Sequence, residues 1–353
     1  MKKVLVTGAF GSVGKCVIKY LLSEGKYEIT ALDLNTKKNN KLSKKYKNRI
    51  NVVLGDINDS TLIENLVKEK DAVIHLVSVM PPFSDFSKSL VELVEYDGTE
   101  NIIKAINYYN PSCYLIYGST TSLYDASLSG CIDEKVKENE LNTFSYYKYV
   151  TELLIKKKLK NYTILRLPLV LNNIINESFV YNIKSNSLIE VTTNYDAAYA
   201  FVSSINNMKL LNKKIFNVGM GIKGRLLYKE ILINILKYQG ISFRYILSRL
   251  FLDKNYYSPV LTDSDNLDDL IHYRHDNLKL YYDRLRRVGR KRKIRKILAK
   301  PFIYFMNKKG WYYDRISSCR RRSKRFLPNW SIFGVKEMWS SYWWCSRNIN
   351  WVF

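Results

Sequence analysis

Residues 6–15 read VTGAFGSVGK, directly behind KKVL at the amino end. The three glycines fall at 8, 11 and 14. An apolar strand, a turn with this spacing and then a helix form a cradle of main-chain amides. Gly8 permits the tight turn, Gly11 lets the backbone approach a ligand, and Gly14 lets helix and strand pack closely. The amides and dipole of the helix start then favour a negative charge, which makes the turn a candidate pyrophosphate site. The next residues support that order of elements. KCVIKYLLSEG has helical periodicity and ends at Gly25, and YEITALDL reads as a buried strand closing on Asp33.

Asp33 lies about twenty residues past the turn, where an acid suits the two ribose hydroxyls of NAD and repels a 2′-phosphate. Downstream, the segments INVVLGDI, DAVIHLVSV, SCYLIYGST and YTILRLPLV read as strands. STLIENLVKEK, with Ser60 as the expected N-cap, and TENIIKAINYY read as helices. Such alternation predicts an α/β fold, a Rossmann-like doubly wound parallel sheet with helices on both faces. The expected organisation is an NAD-binding domain over 1–168, a smaller C-terminal substrate lobe over 169–283, and a basic extension over 284–353. In the lobe, IFNVGMG reads as a short strand and LLYKEILINILKYQG as an amphipathic helix.

Composition narrows the function classes. With 353 residues and 46% hydrophobic content the chain can bury a substantial core. No run of about eighteen charge-free apolar residues occurs, so a membrane span is not expected. Five scattered cysteines without a C-x-x-C pair indicate neither a disulfide framework nor a zinc site, and a reducing cytoplasm fits best. The only histidines are 75, 272 and 275, and His75 reads as a packed strand residue rather than a metal ligand. The net charge of +25 is concentrated at one end: 284–325 hold 18 Lys and Arg against one acid, Asp314.

The motifs together resemble the extended short-chain dehydrogenase/reductase family, the NAD-dependent epimerases and dehydratases of nucleotide sugars. The resemblance starts with Thr7-Gly8-x-x-Gly11-x-x-Gly14 and covers about residues 1–285. Gly55-Asp56-Ile57 is similar to the family's adenine-contacting Asp with its apolar neighbour. DAVIHLVSV resembles its D-x-V-x-H-x-A strand, with Val77 where a small residue is usual. Residues 98–101, GTEN, resemble a helix start of the family, although Glu95 replaces the Asn commonly found three residues earlier. YLIYGSTTSLYD resembles the strand and turn with the catalytic Ser/Thr, which falls at Thr120, four residues before Tyr124. LRLPLVL, Asp196-Ala197-Ala198 and FNVGMG resemble later family segments. The resemblance implies NAD as cofactor, held by Thr7, Gly8, Gly11, Ser12, Val13, Gly14, Asp33, Asp56, Ile57 and Lys148. It also implies a nucleotide-sugar-like substrate and a homodimer.

The family's chemistry depends on Tyr-x-x-x-Lys on one helix face, where the ammonium favours phenolate and the Tyr exchanges a proton with a sugar hydroxyl. Counting back from TELL puts the Lys at Lys148, and four residues earlier stands Phe144. A phenyl ring has no proton to exchange, and loss of a positioned acid/base lowers rates by about 10²–10⁴-fold. Tyr146 lies about 200° round the helix from Phe144 and Tyr147 about 300°. Tyr147 and Tyr124 are therefore the candidate substitutes, with Thr120 to polarise the substrate oxygen and Lys148 to orient the cofactor ribose. An inactive NAD-binding scaffold or sensor is the alternative.

The extension changes composition. All six tryptophans lie between 311 and 351, among arginine clusters such as SCRRRSKRF. RLRRVGRKRKIRKILAKPF can form a basic amphipathic helix with Ile294, Ile297 and Leu298 on one face, suited to an anionic membrane surface. Interleaved Arg and aromatics also suit nucleic acid. The switch near 311 reads either as an accessory segment or as unrelated coding.

Overall fold

The computed structural model describes residues 1–81, 83–85, 87–124, 130–172, 183–239 and 260–291. Its main sheet is built from β1 (Lys2–Thr7), β2 (Tyr27–Asp33), β3 (Asn51–Leu54), β4 (Ala72–His75), β5 (Tyr114–Thr120), β6 (Tyr162–Leu167) and β9 (Lys214–Asn217). All seven are parallel, in the order β3-β2-β1-β4-β5-β6-β9. The order reverses at β1, so the crevice above the carboxyl ends of β1 and β4 is the place where such sheets bind ligands.

Strand periodicity explains why both faces are dry. Val4 and Val6 point into one core with Val17, Ile18 and Leu21 of α1 (Ser12–Glu24), while Leu5 between them points into the other. That second core takes Ile63 and Val67 of α3 (Ser60–Val67), Ile102 and Ile106 of α5 (Gly98–Tyr109), and Ile155 of α6 (Thr143–Lys158). A sheet covered on both sides needs apolar residues at every position, which is why its strands read as unbroken apolar runs.

Three local features depart from the sequence reading. The lysine-rich stretch after β2 is helical: α2 (Lys37–Tyr46) starts where Thr36 accepts from the Asn39 amide. Its polar faces gave no apolar period to detect. The N-cap of α3 is Asp59, which accepts from Leu62 N, and Ser60 is the first helical residue. YTILRLPLV divides at Pro168: β6 stays in the main sheet and β7 (Leu169–Leu171) enters a second one. That second sheet runs β10-β8-β7, with β8 (Leu188–Thr193) and β10 (Arg225–Leu227) antiparallel. The described residues group into two units, one within 1–229 and 260–281 and the other within 230–239 and 282–291. Within the second unit Tyr238 stacks on Tyr282 at 5.4 Å. Among the described residues no helix is long and apolar enough to cross a membrane. The basic helix expected around 294–298 and the tryptophan-rich segment lie outside the described residues.

One buried acid gives the fold a pH signature. Asp196 sits in the first turn of α7 (Asn194–Asn206) and accepts from the His275 and Asp276 amides at 3.0 and 2.8 Å. Its other oxygen is buried without a partner. Burial pushes the carboxyl up to about 6, against the pull of those two amides. A folded pKa above the unfolded value penalises the ionised native state at pH 7, and the penalty fades as pH falls through 6 towards 4. Asp196→Asn is expected to raise stability at pH 7 by about 1–2 kcal/mol and to remove this group's gain on acidification. Urea unfolding at pH 7 and pH 5 measures both; an Asn variant that is less stable than the parent at pH 7 contradicts the assignment.

Candidate cofactor and substrate site

The glycine turn closes where Gly11 N donates to Gly8 O at 3.0 Å, and α1 begins directly after it. Gly8 has φ +65°, and a Cβ there would lie 2.8 Å from the Leu76 backbone. At Gly14 a Cβ would press into the Gly8 and Ala9 carbonyls. Gly11 is different: φ is −65° and a Cβ would meet only Gly8 O, at 3.1 Å. Gly8 and Gly14 are thus required by the protein's own packing, whereas Gly11 leaves open the space above the helix start. Asp33, at the end of β2, is bonded to this turn. Its Oδ2 accepts from Phe10 N at 2.7 Å and its Oδ1 from Leu34 N and Asn39 Nδ2. Burial raises its pKa, and those three donors act in the opposite direction.

Next in the sheet, β4 carries a buried relay. Thr7 Oγ1 bonds His75 Nδ1 at 2.6 Å, His75 Nε2 bonds Thr99 Oγ1 at 2.9 Å, and Thr99 donates to Glu95 O. Burial, and secondarily Lys148, pushes His75 down to about 3, so the ring is neutral and serves to tie β1, β4 and α5 together. Among the described residues no cluster of three or more His, Cys, Asp or Glu could hold a metal. Beyond β3, Asp56 is exposed and bonds Asn58, while Ile57 is buried against Gly98, where a Cβ would meet Ile57 Cγ2 at 2.7 Å.

At the end of β5, Thr120 is buried and caps the following turn: its Oγ1 accepts from Ser122 N at 3.1 Å. Ser122 Oγ reaches Ser145 Oγ of α6 at 2.8 Å, which fastens the helix beside Thr120. Asn142 caps α6 by accepting from Ser145 N. Phe144 and Lys148 therefore stand one turn apart on α6, both buried. Lys148 Nζ donates to Gly118 O at 2.9 Å, pairs with Glu95 Oε2 at 2.9 Å and lies 4.7 Å from the centre of the Tyr117 ring.

The two candidate substitutes are otherwise engaged. Tyr147 is buried, and burial followed by a hydrogen bond to Glu92 pushes its phenol up to about 12. Tyr124 OH donates to Asn217 Oδ1 at 2.9 Å and accepts from Arg166 Nη1 at 2.9 Å, and burial pushes it also to about 12. Both hydroxyls keep their protons at neutral pH, which works against either as a base.

A model of the NAD dependent epimerase/dehydratase family matches residues 4–214. The chain belongs to that family. A curated relative, the dTDP-glucose 4,6-dehydratase of Mycolicibacterium smegmatis, is 30% identical over 168 residues, 45% of this chain and 50% of that protein. The chain spans half or less of the length of the curated relatives it matches. Among solved structures, the dTDP-glucose 4,6-dehydratase of Bacillus anthracis in complex with NAD superposes with a TM-score of 0.67 at 15% identity. That match covers 82% of this chain and 97% of that one. The UDP-glucuronic acid 4-epimerase of Bacillus cereus, in complex with UDP-glucuronic acid and NAD, gives 0.64 at 20% identity over 81% and 99%. These neighbours share the epimerase/dehydratase fold, seven-stranded Rossmann-like sheet included.

The residues present fit a dinucleotide. Ser12 Oγ, at the start of α1, is buried without a hydrogen-bond partner, and the helix start has no side-chain cap. Unsatisfied donors at an uncapped helix N-terminus, beside a glycine whose missing Cβ leaves room, match a pyrophosphate's needs. Three features went unnoticed in the sequence: the Glu95–Lys148 pair, the Ser122–Ser145 link, and the Glu152–Arg166 pair (2.6 Å) behind Tyr124. Only Glu95 left a trace there, as an acid where the epimerase/dehydratase family commonly has Asn.

Proposed function

We propose that this protein binds NAD at the glycine turn and a nucleotide-sugar-like molecule beside Thr120, and that proton transfer is the step it has lost. Phe144 carries the reading: it stands one turn before Lys148, on the same face of α6, at the position where this family's chemistry calls for a phenol. NAD, when bound, supplies a hydride acceptor. The chain's own residues would hold it through the amides of Ser12 and Val13, with Asp33 on the ribose hydroxyls and Asp56 and Ile57 at the adenine end. Thr120 is placed to bond a substrate oxygen. Tyr147 and Tyr124 both hold their protons and are not ready to take one from a sugar. Support for the ligand class comes from the neighbours' UDP-glucuronic acid and NAD.

The test is to separate binding from turnover. Calorimetry is expected to show NAD binding. Chromatography of the sugar nucleotide after incubation with dTDP-glucose or UDP-glucuronic acid should show conversion about 10²–10⁴-fold slower than by a tyrosine-bearing family enzyme assayed alongside. Comparable turnover rejects the reading, as does failure to bind NAD.

A further inference from the structure

Lys148 is not a free cation. Its side chain is 3% exposed, and its ammonium lies 2.9 Å from both Gly118 O and the Glu95 carboxylate. Glu95 is held as firmly from the other side: Oε1 accepts from Ser78 Oγ at 2.5 Å and from Val79 N at 2.9 Å. It stands in a π-helical turn, Glu92–Asp97, inserted between α4 (Lys88–Val91) and α5. Such a turn adds a residue per turn and re-aims the side chains it carries, which is how Glu95 comes to point at α6. Thr151 Oγ1, on α6, donates to the carbonyl of the same Glu95 at 3.2 Å, so main chain and side chain are both moored. An ion pair fixed this closely presents almost no net charge to a neighbour one helical turn away.

We infer that Glu95 and Phe144 form a matched pair: the Glu95 carboxylate cancels the Lys148 ammonium, so that a hydroxyl returned at position 144 stays a poor proton acceptor until Glu95 is replaced as well. Glu95 acts through Lys148 and is a positioning residue. This inference rests on the placement of the reacting position at 144 under the proposed function. The other groups around Lys148 do not supply the missing positive charge. His75 on β4 is neutral, the Tyr117 ring is uncharged, Glu152 on α6 is bonded to Ser119 and Arg166, and Tyr147 is bonded to Glu92. A single reversion at 144 therefore leaves the ammonium still cancelled.

The experiment installs 3-fluorotyrosine at 144 and follows its ionisation by ¹⁹F NMR, with and without Glu95→Gln, in the full chain. The expected result is a titration midpoint lower by about one pH unit or more in the double variant, the usual size for an ammonium freed beside a phenol. Adding Lys148→Met to the double variant should reverse that shift, a response that a purely structural Glu95 does not predict. Removing one partner of a buried pair is destabilising. Where Glu95→Gln does not fold, Glu95→Asn gives the same comparison with a shorter acceptor. Equal midpoints with and without Glu95, in either variant, overturn the inference. NAD binding is measured on the same samples. Its absence, with the midpoint shift present, rejects the proposed function and leaves the Glu95–Lys148–144 coupling standing.

Discussion

Gly11→Leu is expected to weaken NAD binding by at least about 100-fold, close to 3 kcal/mol, while the protein stays folded. The two halves of that expectation come from the same geometry. The backbone at Gly11 has φ −65° and ψ −178°, an ordinary conformation for any residue, and its nearest obstacle is a single carbonyl oxygen at 3.1 Å. The protein itself does not need a glycine there. A leucine would occupy the space over the first amides of α1, where a pyrophosphate has to approach the main chain. Gly8 and Gly14 give the contrasting outcome. Alanine at Gly14 would drive a methyl group into the Gly8 carbonyl, and alanine at Gly8 adds a left-handed φ to a 2.8 Å contact with Leu76. Those two variants should lose thermal stability, and lose binding only as a consequence. Calorimetric titration of NAD beside a thermal melt separates the cases. A folded Gly11→Leu protein that still takes up NAD with parental affinity removes the turn as the binding site.

The turn was readable because its constraints are local. A strand, three glycines three apart and a helix impose themselves on ten consecutive residues, and an acid at the next strand end completes the pattern. The parallel sheet was readable for a similar reason, since strands buried on both faces carry unbroken apolar runs such as VLV and AVI. The lysine-rich α2 was harder, because it is largely solvated and carries little apolar signal. The second sheet was not seen at all. Its strands are short, and β8 contains Glu190, whose charge reads as surface until the structure shows it buried and bonded to Ser264, Gly221, Leu261 and Arg225. The same blindness applies at the site. Nothing in the spacing of Glu95 and Lys148, 53 residues apart, says that they touch, because the contact depends on a π-helical turn. Phe144 was legible because Lys148 and TELL fix its place on one helix; what surrounds it was not.

Arg166→Met is expected to destabilise the protein by about 3–5 kcal/mol, the range for leaving a buried charge alone. Arg166 holds Glu152 through two parallel bonds, Nη2 to Oε2 at 2.6 Å and Nε to Oε1 at 3.0 Å, with neither side chain more than 5% exposed. Its remaining arm donates to Tyr124, which donates to Asn217, which in turn bonds Gly130 O and Asp263 Oδ1. Ser119 at the end of β5 donates to Glu152 at 2.5 Å. The network thus joins β5, β6, β9 and α6 directly behind Thr120, and this is the reason Tyr124 has no freedom to act as a base. Truncating Arg166 leaves Glu152 with one hydroxyl donor, in a place where water cannot replace the guanidinium. The companion double variant, Arg166→Met with Glu152→Leu, should recover much of the loss, because an apolar pair of similar volume asks for no counter-charge. Guanidinium unfolding of the two variants against the parent makes the comparison. A single variant within about 1 kcal/mol of the parent, the size of an exposed pair, would show that water reaches the site and that the wall behind Thr120 is not closed.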